Sequence, residues 1–201
     1  MQRTNEWVQA RLGKVTGSRI GDVMATIAKG EATSRRNYRS EKVLERWTLE
    51  PQERGYSNNA MQYGIETEAE ARAMYAIENA VEVEVVGFLD HPKIGNAGAS
   101  PDGLVGGDGE GLIEIKCPEP SGYLDARIRG APIEEKYLLQ MQFQMAVTGR
   151  AWCDYVVYRK GCPLAVQRIK RDDKLIEKIE AHVRKFLVEV DRECEQMVNA
   201  K

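Results

Sequence analysis

A chain of 201 residues that is 42 % hydrophobic and 30 % charged, with 18 Gly and 7 Pro, has the make-up of a globular protein and excludes disorder and collagen-like repeats. Its apolar runs fall far short of the ~20 residues that span a bilayer, and MQRTNEWVQARLG carries charge where an export signal needs an apolar stretch, so a soluble, cytoplasmic protein with no membrane partner is expected. A net charge of −2, from 29 basic and 31 acidic residues, argues against histone-like binding but leaves room for a DNA partner, because acids can gather at a metal while bases line a channel.

No repeat or Pro/Ser-rich linker divides the chain, so one domain over 1–201 is expected: N-terminal helices over 5–79, a sheet and helix over 81–170, and a C-terminal helix over 173–198. Asn5 reads as the N-cap of a short helix carrying Trp7, Val8 and Leu12 and ended by Gly13. Thr16-Gly17-Ser18 opens a second helix with Ile20, Val23, Met24 and Ile27 at helical spacing, closed by Gly30. A basic helix from about Ser34 carries Arg35, Arg36, Arg39, Lys42 and Arg46, whose charges suit a DNA-contacting face and a solvated face equally well. After a loop with Pro51, Gly55 and Asn58-Asn59, a helix over about 60–79 holds Met61, Ile65, Ala69, Met74 and Ile77.

From Val81 to Phe88 the alternation of Val and Glu predicts a half-exposed strand, and Gly111 to Cys117 a second strand ended by Pro118 and Pro120. Helix returns over 134–148. Two strands follow, Trp152 to Tyr158 and Leu164 to Ile169, joined at Lys160-Gly161, and then a long amphipathic helix. The expected class is α/β, a small mixed sheet flanked by helices. Cys117, Cys153, Cys162 and Cys194 form no Cys-x-x-Cys pair and lie at no zinc-ligand spacing from His91 or His182, so reduced thiols are expected rather than structural zinc.

The chemistry concentrates in Ser100-Pro101-Asp102-Gly103-Leu104 and Glu114-Ile115-Lys116. Residues i and i+2 of a strand share a face, so Glu114 and Lys116 point the same way, and Asp102 opens the hairpin that leads to them. Two carboxylates converging on one point repel unless a cation lies between them, and hard oxygen donors suit Mg²⁺ or Mn²⁺. The lysine beside them can polarise or deprotonate a water and steady charge on a phosphate. The bland alternative is an ordinary Pro-Asp-Gly turn beside a solvated Glu/Lys pair.

Five motifs occur in order: Trp7-x-x-x-Arg11-x-Gly13-x-x-Thr16-x-Ser18; Gly64-x-x-x-Glu68-x-x-Ala71-Arg72; Ser100 to Leu104; Glu114-Ile115-Lys116-Cys117-Pro118; and Tyr137-x-x-Gln140-x-Gln142. Together, over residues 7–150, they resemble the lambda-exonuclease-like viral recombinases of the PD-(D/E)XK nuclease superfamily, with its restriction-endonuclease-like core. The resemblance implies a Mg²⁺-dependent alkaline exonuclease, with Mn²⁺ able to substitute. Such an enzyme degrades one strand of linear double-stranded DNA from its 5′ end, releases mononucleotides and leaves a 3′ single strand. It implies metal ligands at Asp102, Glu114, the Ile115 carbonyl and a third acid, Glu68. Lys116 would act on the attacking water, and Gln140 would orient water or scissile phosphate.

Arg11 and Ser18 match a 5′-phosphate pocket, for which a bidentate guanidinium beside a helix start is suited. Trp7 reads as core packing, and Gln142 and Gln144 as pointing elsewhere on their helix. The resemblance also implies a ring of three identical subunits and a single-strand annealing protein as partner. The rival readings are a structure- or sequence-specific endonuclease and a non-catalytic DNA-binding subunit.

Overall fold

The computed structural model describes residues 2, 4–52, 59–106 and 110–200, with backbone alone at 59–61. Gly55 and Asn58 of the expected loop, and the Met61 side chain, lie outside these residues. The chain runs α1 (Asn5–Arg11), β1 (Val15–Thr16), a 3-10 turn (Gly17–Arg19), α2 (Ile20–Met24), α3 (Thr33–Thr48) and α4 (Asn59–Asn79). It continues β2 (Val83–Glu84), β3 (Leu89–Asp90), β4 (Ala97–Ala99), β5 (Gly103–Val105) and β6 (Gly111–Lys116). Then come α5 (Pro120–Arg127), α6 (Glu135–Thr148), β7 (Trp152–Val157), β8 (Ala165–Lys170) and α7 (Asp173–Asn199).

One sheet has the order β2-β5-β6-β7-β8 and a smaller one the order β1-β4-β3. β6 and β7 pair in parallel, which requires the crossover that α5 and α6 supply, and the other pairs of the larger sheet are antiparallel. A strand in this central place buries both faces. Ile113 and Ile115 pack with Ala71 and Tyr75 of α4, while Leu112 packs with Met141 and Met145 of α6. Both faces of β6 are therefore buried. A third cluster joins α2, α3, α6 and α7 through Ile20, Tyr38, Phe143 and Phe186, with the Tyr38 and Phe186 rings stacked at 5.4 Å.

Several local expectations are corrected. Thr4, not Asn5, caps α1, its hydroxyl accepting from the Trp7 N–H at 3.3 Å. The helix expected from Thr16 starts later and stops earlier: Thr16 is extended and pairs with Gly98, and α2 ends at Met24, leaving Ile27 55 % exposed. The alternation from Val81 to Phe88 yields only the two-residue β2 at a sheet edge, because β5 is too short to pair with more of it. Pro120, read only as the end of a strand, begins α5, where its missing N–H costs no hydrogen bond.

Four of the five basic residues of α3 are taken up in ion pairs. Arg39 bonds Glu193 and Glu189 of α7 at 2.7 and 3.2 Å, and Arg35 bonds Glu189 at 2.7 Å. Glu31 pairs with both arginines. Lys42 is buried against Glu45 at 2.6 Å, and Arg46 reaches Asp191. Of the five basic residues only Arg36 is exposed. The same helix clasps the turn after α1: Glu45 accepts from the Gly13 N–H at 2.8 Å and Arg46 donates to the Gly13 carbonyl at 3.0 Å. Gly13 has φ +68°, and a Cβ there would lie 2.7 Å from Arg46 Cγ, so this turn requires glycine.

Candidate active site

Asp102 directly precedes β5, whose last pairing with β6 is Gly103 with Ile113. β6 runs on past that point, so among the described residues Ile115 has no strand partner on that edge. The Asp102 carboxylate takes its place, accepting from the Ile115 N–H at 2.7 Å. Because the N–H and C=O of a strand residue point to the same edge, the Ile115 carbonyl also faces the opening left by β5.

Glu114 and Lys116 project from the opposite side of β6, under α6. Glu114 is 1 % exposed, and both its oxygens are held. Gln140 donates to Oε1 at 2.7 Å, Gln144 donates to Oε2 at 2.7 Å, and the Lys116 ammonium bonds Oε1. Tyr137 lies beneath that ammonium, 4.8 Å from Nζ to ring centre.

Burial holds the Asp102 carboxyl well above the usual carboxylate range, and the charge of Glu114 adds to it; Lys116 opposes the shift, Glu68 reinforces it and the Ile115 N–H opposes it. For Lys116, burial would lower the pKa, but the charges of Glu114 and Asp102 outweigh it and push the pKa up. In this state Lys116 is an ammonium, a donor and a positive charge rather than a base.

Glu68, from α4 on the other face of β6, pairs with Arg72 at 2.6 Å, and Arg72 donates to the Asp102 carbonyl at 2.7 Å. Among the described residues no three His, Cys, Asp or Glu side chains lie close enough together to hold an ion. The expected trio of Asp102, Glu114 and Glu68 is thus not assembled as a cluster. The donor chemistry nevertheless fits a hard divalent cation: two carboxylates and a main-chain carbonyl, all oxygen, with Asp102 disfavoured as an anion by burial and by the charge of Glu114.

Arg11 ends α1 with its guanidinium 3.9 Å from the centre of the Trp7 ring, and the Trp7 indole donates to Ser100 at 2.9 Å. Trp7 is therefore a wall of the site, half-buried, rather than core. Ser18 sits in the 3-10 turn and is exposed; it caps neither that turn, where Thr16 holds the capping position, nor α2, where Arg19 does. One cleft of about 570 Å³ is lined by Asp102, Glu114, Ile115, Lys116, Gln140 and Glu68, and equally by Arg11 and Ser18.

The chain matches the model of the YqaJ-like viral recombinase domain over residues 6–151. It belongs to the YqaJ-like viral recombinase family.

The crystal structure of LHK-Exo, an alkaline exonuclease from Laribacter hongkongensis, is similar to this family member at 46 % identity and a TM-score of 0.88, covering 98 % of this chain and 97 % of that one. LHK-Exo in complex with dAMP matches at 47 % identity and 0.88, over 96 % of each chain. A phage-related exonuclease from Haemophilus somnus 129PT, at 16 % identity and a TM-score of 0.74, covers 92 % of this chain and 96 % of its own and shares the fold. No match was found among curated proteins. The resemblance to lambda-exonuclease-like recombinases and the PD-(D/E)XK fold are both borne out.

Gln144, expected to point elsewhere on its helix, instead faces Glu114 and lines the cleft of this YqaJ-like site. Its signal was present, since residues four apart share a helix face and Gln140 was already placed. Gln142 does point away, donating to the Lys170 carbonyl at 2.8 Å and accepting from the Asp172 N–H at 2.9 Å. Arg72 was quoted in a motif without a role, and its reach to the Asp102 carbonyl spans 30 residues of chain, which no local pattern encodes.

Proposed function

We propose that this chain is a metal-dependent exonuclease that degrades linear double-stranded DNA 5′ to 3′, releases 5′-mononucleotides and leaves a 3′ single strand for annealing-type recombination. The observation that carries the reading is the single cleft in which the Asp102–Glu114 acid pair and Lys116 lie together with Arg11 and Ser18. Family membership and the 46 % identity to an alkaline exonuclease support it, as does the complex of LHK-Exo with dAMP, a mononucleotide.

In this reading Asp102, Glu114, the Ile115 carbonyl and, on substrate arrival, Glu68 hold Mg²⁺, with Mn²⁺ able to replace it. The bound ions would supply an activated water and neutralise phosphate charge. Lys116 delivers its ammonium charge to the scissile phosphate as negative charge builds on it. Gln140 keeps Glu114 and the phosphate in register. Arg11 forks onto the terminal 5′-phosphate while Trp7 fixes its plane, and Ser18 donates its hydroxyl.

Three copies of the chain closing into a ring around the duplex would provide processivity, because a net charge of −2 gives little sequence-independent grip on DNA. A single-strand annealing protein would then take up the emerging 3′ strand. Light scattering of the protein at micromolar concentration tests the ring, and a monomer mass would contradict it.

The function is tested on labelled linear and closed circular duplex, each with Mg²⁺ or EDTA. Linear DNA alone should be consumed, and only with Mg²⁺. Cutting of the circle would favour an endonuclease, and no cutting of either would favour a non-catalytic binding subunit.

A further inference from the structure

Gln144 is 1 % exposed, lies one helical turn beyond Gln140 on α6, and donates to Glu114 Oε2 at 2.7 Å. Gln140 and Lys116 share the other oxygen, Oε1. The Gln144 Oε1 atom is buried and has no hydrogen-bond partner among the described residues. A glutamine kept only to satisfy neighbouring polar groups would not leave half of its own amide unsatisfied, since such an orphan acceptor is costly. The opposite amide orientation would set oxygen against the Glu114 carboxylate, so the donor must face it.

We propose that Gln144 is a positioning residue: by holding Glu114 Oε2 it fixes the plane of that carboxylate and leaves Oε1 to face the cleft. Gln140 alone does not achieve this, because a carboxylate held at one oxygen pivots about that contact. Two amides spaced one turn apart on a rigid helix hold both ends. Lys116 then meets one defined oxygen and divalent ions meet one defined donor. The consequence is pre-organisation of the site rather than direct contact with DNA, so the loss of Gln144 acts on turnover and metal binding, not on the recognition of DNA ends.

The inference rests on the proposed nuclease reading, and its test separates the two. Gln144→Met has nearly the same volume, removes the donor and removes the orphan oxygen. It exchanges the orphan amide oxygen for an unpaired Glu114 Oε2, so it should stay folded and melt somewhat below the unmodified protein. Its kcat on linear duplex should fall by about tenfold or more, the usual effect of a lost supporting contact at a metal site, while KM for DNA ends stays unchanged. Calorimetric titration with Mg²⁺ should show affinity weakened several-fold in the absence of DNA. Gln144→Asn keeps an amide in the core but falls one methylene short, and should lose kcat in the same way.

Wild-type kcat and Mg²⁺ affinity in a folded Met or Asn variant would overturn the proposal. So would failure of both variants to fold, which would assign Gln144 to structure alone. If the unmodified protein does not hydrolyse DNA, the function reading fails by itself, and the Mg²⁺ titration still decides whether Gln144 sets the affinity of Glu114 for the ion.

Discussion

The Arg72 guanidinium on α4 donates to the main-chain carbonyl of Asp102 at 2.7 Å. Asp102 is thereby fixed from two sides, its carboxylate by the Ile115 N–H and its carbonyl by a helix on the other face of β6. Since Arg72 also holds Glu68 at 2.6 Å, one side chain sets the spacing between two of the three acids.

Arg72→Ala should therefore release both. A hydrogen bond to a charged group contributes about 1.5–3 kcal/mol, so the melting temperature should drop by several degrees and kcat should fall more than stability alone explains. Arg72→Lys can pair with Glu68 or reach the carbonyl, not both, and should keep the fold while losing part of the rate. Chemical denaturation and single-turnover hydrolysis on the two variants check this.

Asp102→Asn should reduce hydrolysis by a factor of about a hundred or more and yet raise the melting temperature in EDTA at neutral pH. Asparagine still offers an oxygen to the Ile115 N–H but brings no charge beside Glu114. Because the folded-state pKa of Asp102 is raised, its contribution to stability is present in acid and is lost as pH rises through that folded-state value. The gain from Asn should accordingly be largest at neutral and alkaline pH and vanish in acid. A calorimetric melt across pH reads both statements.

Much of this arrangement was legible in the sequence, for a physical reason. Glu114 and Lys116 are two apart on a strand, and strand periodicity alone puts them on one face. The helix at 173–198 was found because its apolar spacing persists over many turns. The one at 60–79 is a helix, but it buries Ala71 and Tyr75 and leaves Ile65 and Ile77 of the expected stripe exposed, and the one at 134–148 buries every residue from Leu139 to Val147. What stayed hidden is tertiary. Arg35 and Arg39 looked like a basic face because Glu189 and Glu193, which neutralise them, lie about 150 residues further along the chain. The turn at Thr16 reads as a helix start locally, but pairing with Gly98 holds it extended.

Arg39→Ala consequently tests packing, not DNA contact. The Arg39 network is largely shielded from solvent, with side-chain exposures of 13 % for Arg39 and 18 % for Glu189. Its removal leaves Glu189 and Glu193 poorly compensated and should cost about 1–3 kcal/mol of stability. The salt dependence of DNA binding should stay that of the unmodified protein, whereas loss of a phosphate contact would lower the slope by about 1.

Arg11→Ala should erase discrimination between phosphorylated and hydroxyl 5′ ends. The unmodified protein should degrade duplex with a 5′-phosphate faster than the same duplex after phosphatase treatment. In the variant the two rates should converge on the slower one. Equal rates on both ends by the unmodified protein would remove Arg11 and Ser18 from the phosphate pocket.

The central claim is end-directed, metal-dependent hydrolysis with 5′-to-3′ polarity at the Asp102–Glu114–Lys116 cleft. It is tested most directly on a linear duplex carrying one label at a 5′ terminus and a different label at the 3′ terminus of the same strand, followed with Mg²⁺ for the unmodified protein and for Lys116→Ala. The account predicts that the 5′ label appears first, as a mononucleotide, while the 3′ label stays in long fragments, and that Lys116→Ala binds the duplex but releases neither. Release of the 3′ label first, labelled internal fragments, or undiminished hydrolysis by Lys116→Ala would contradict it.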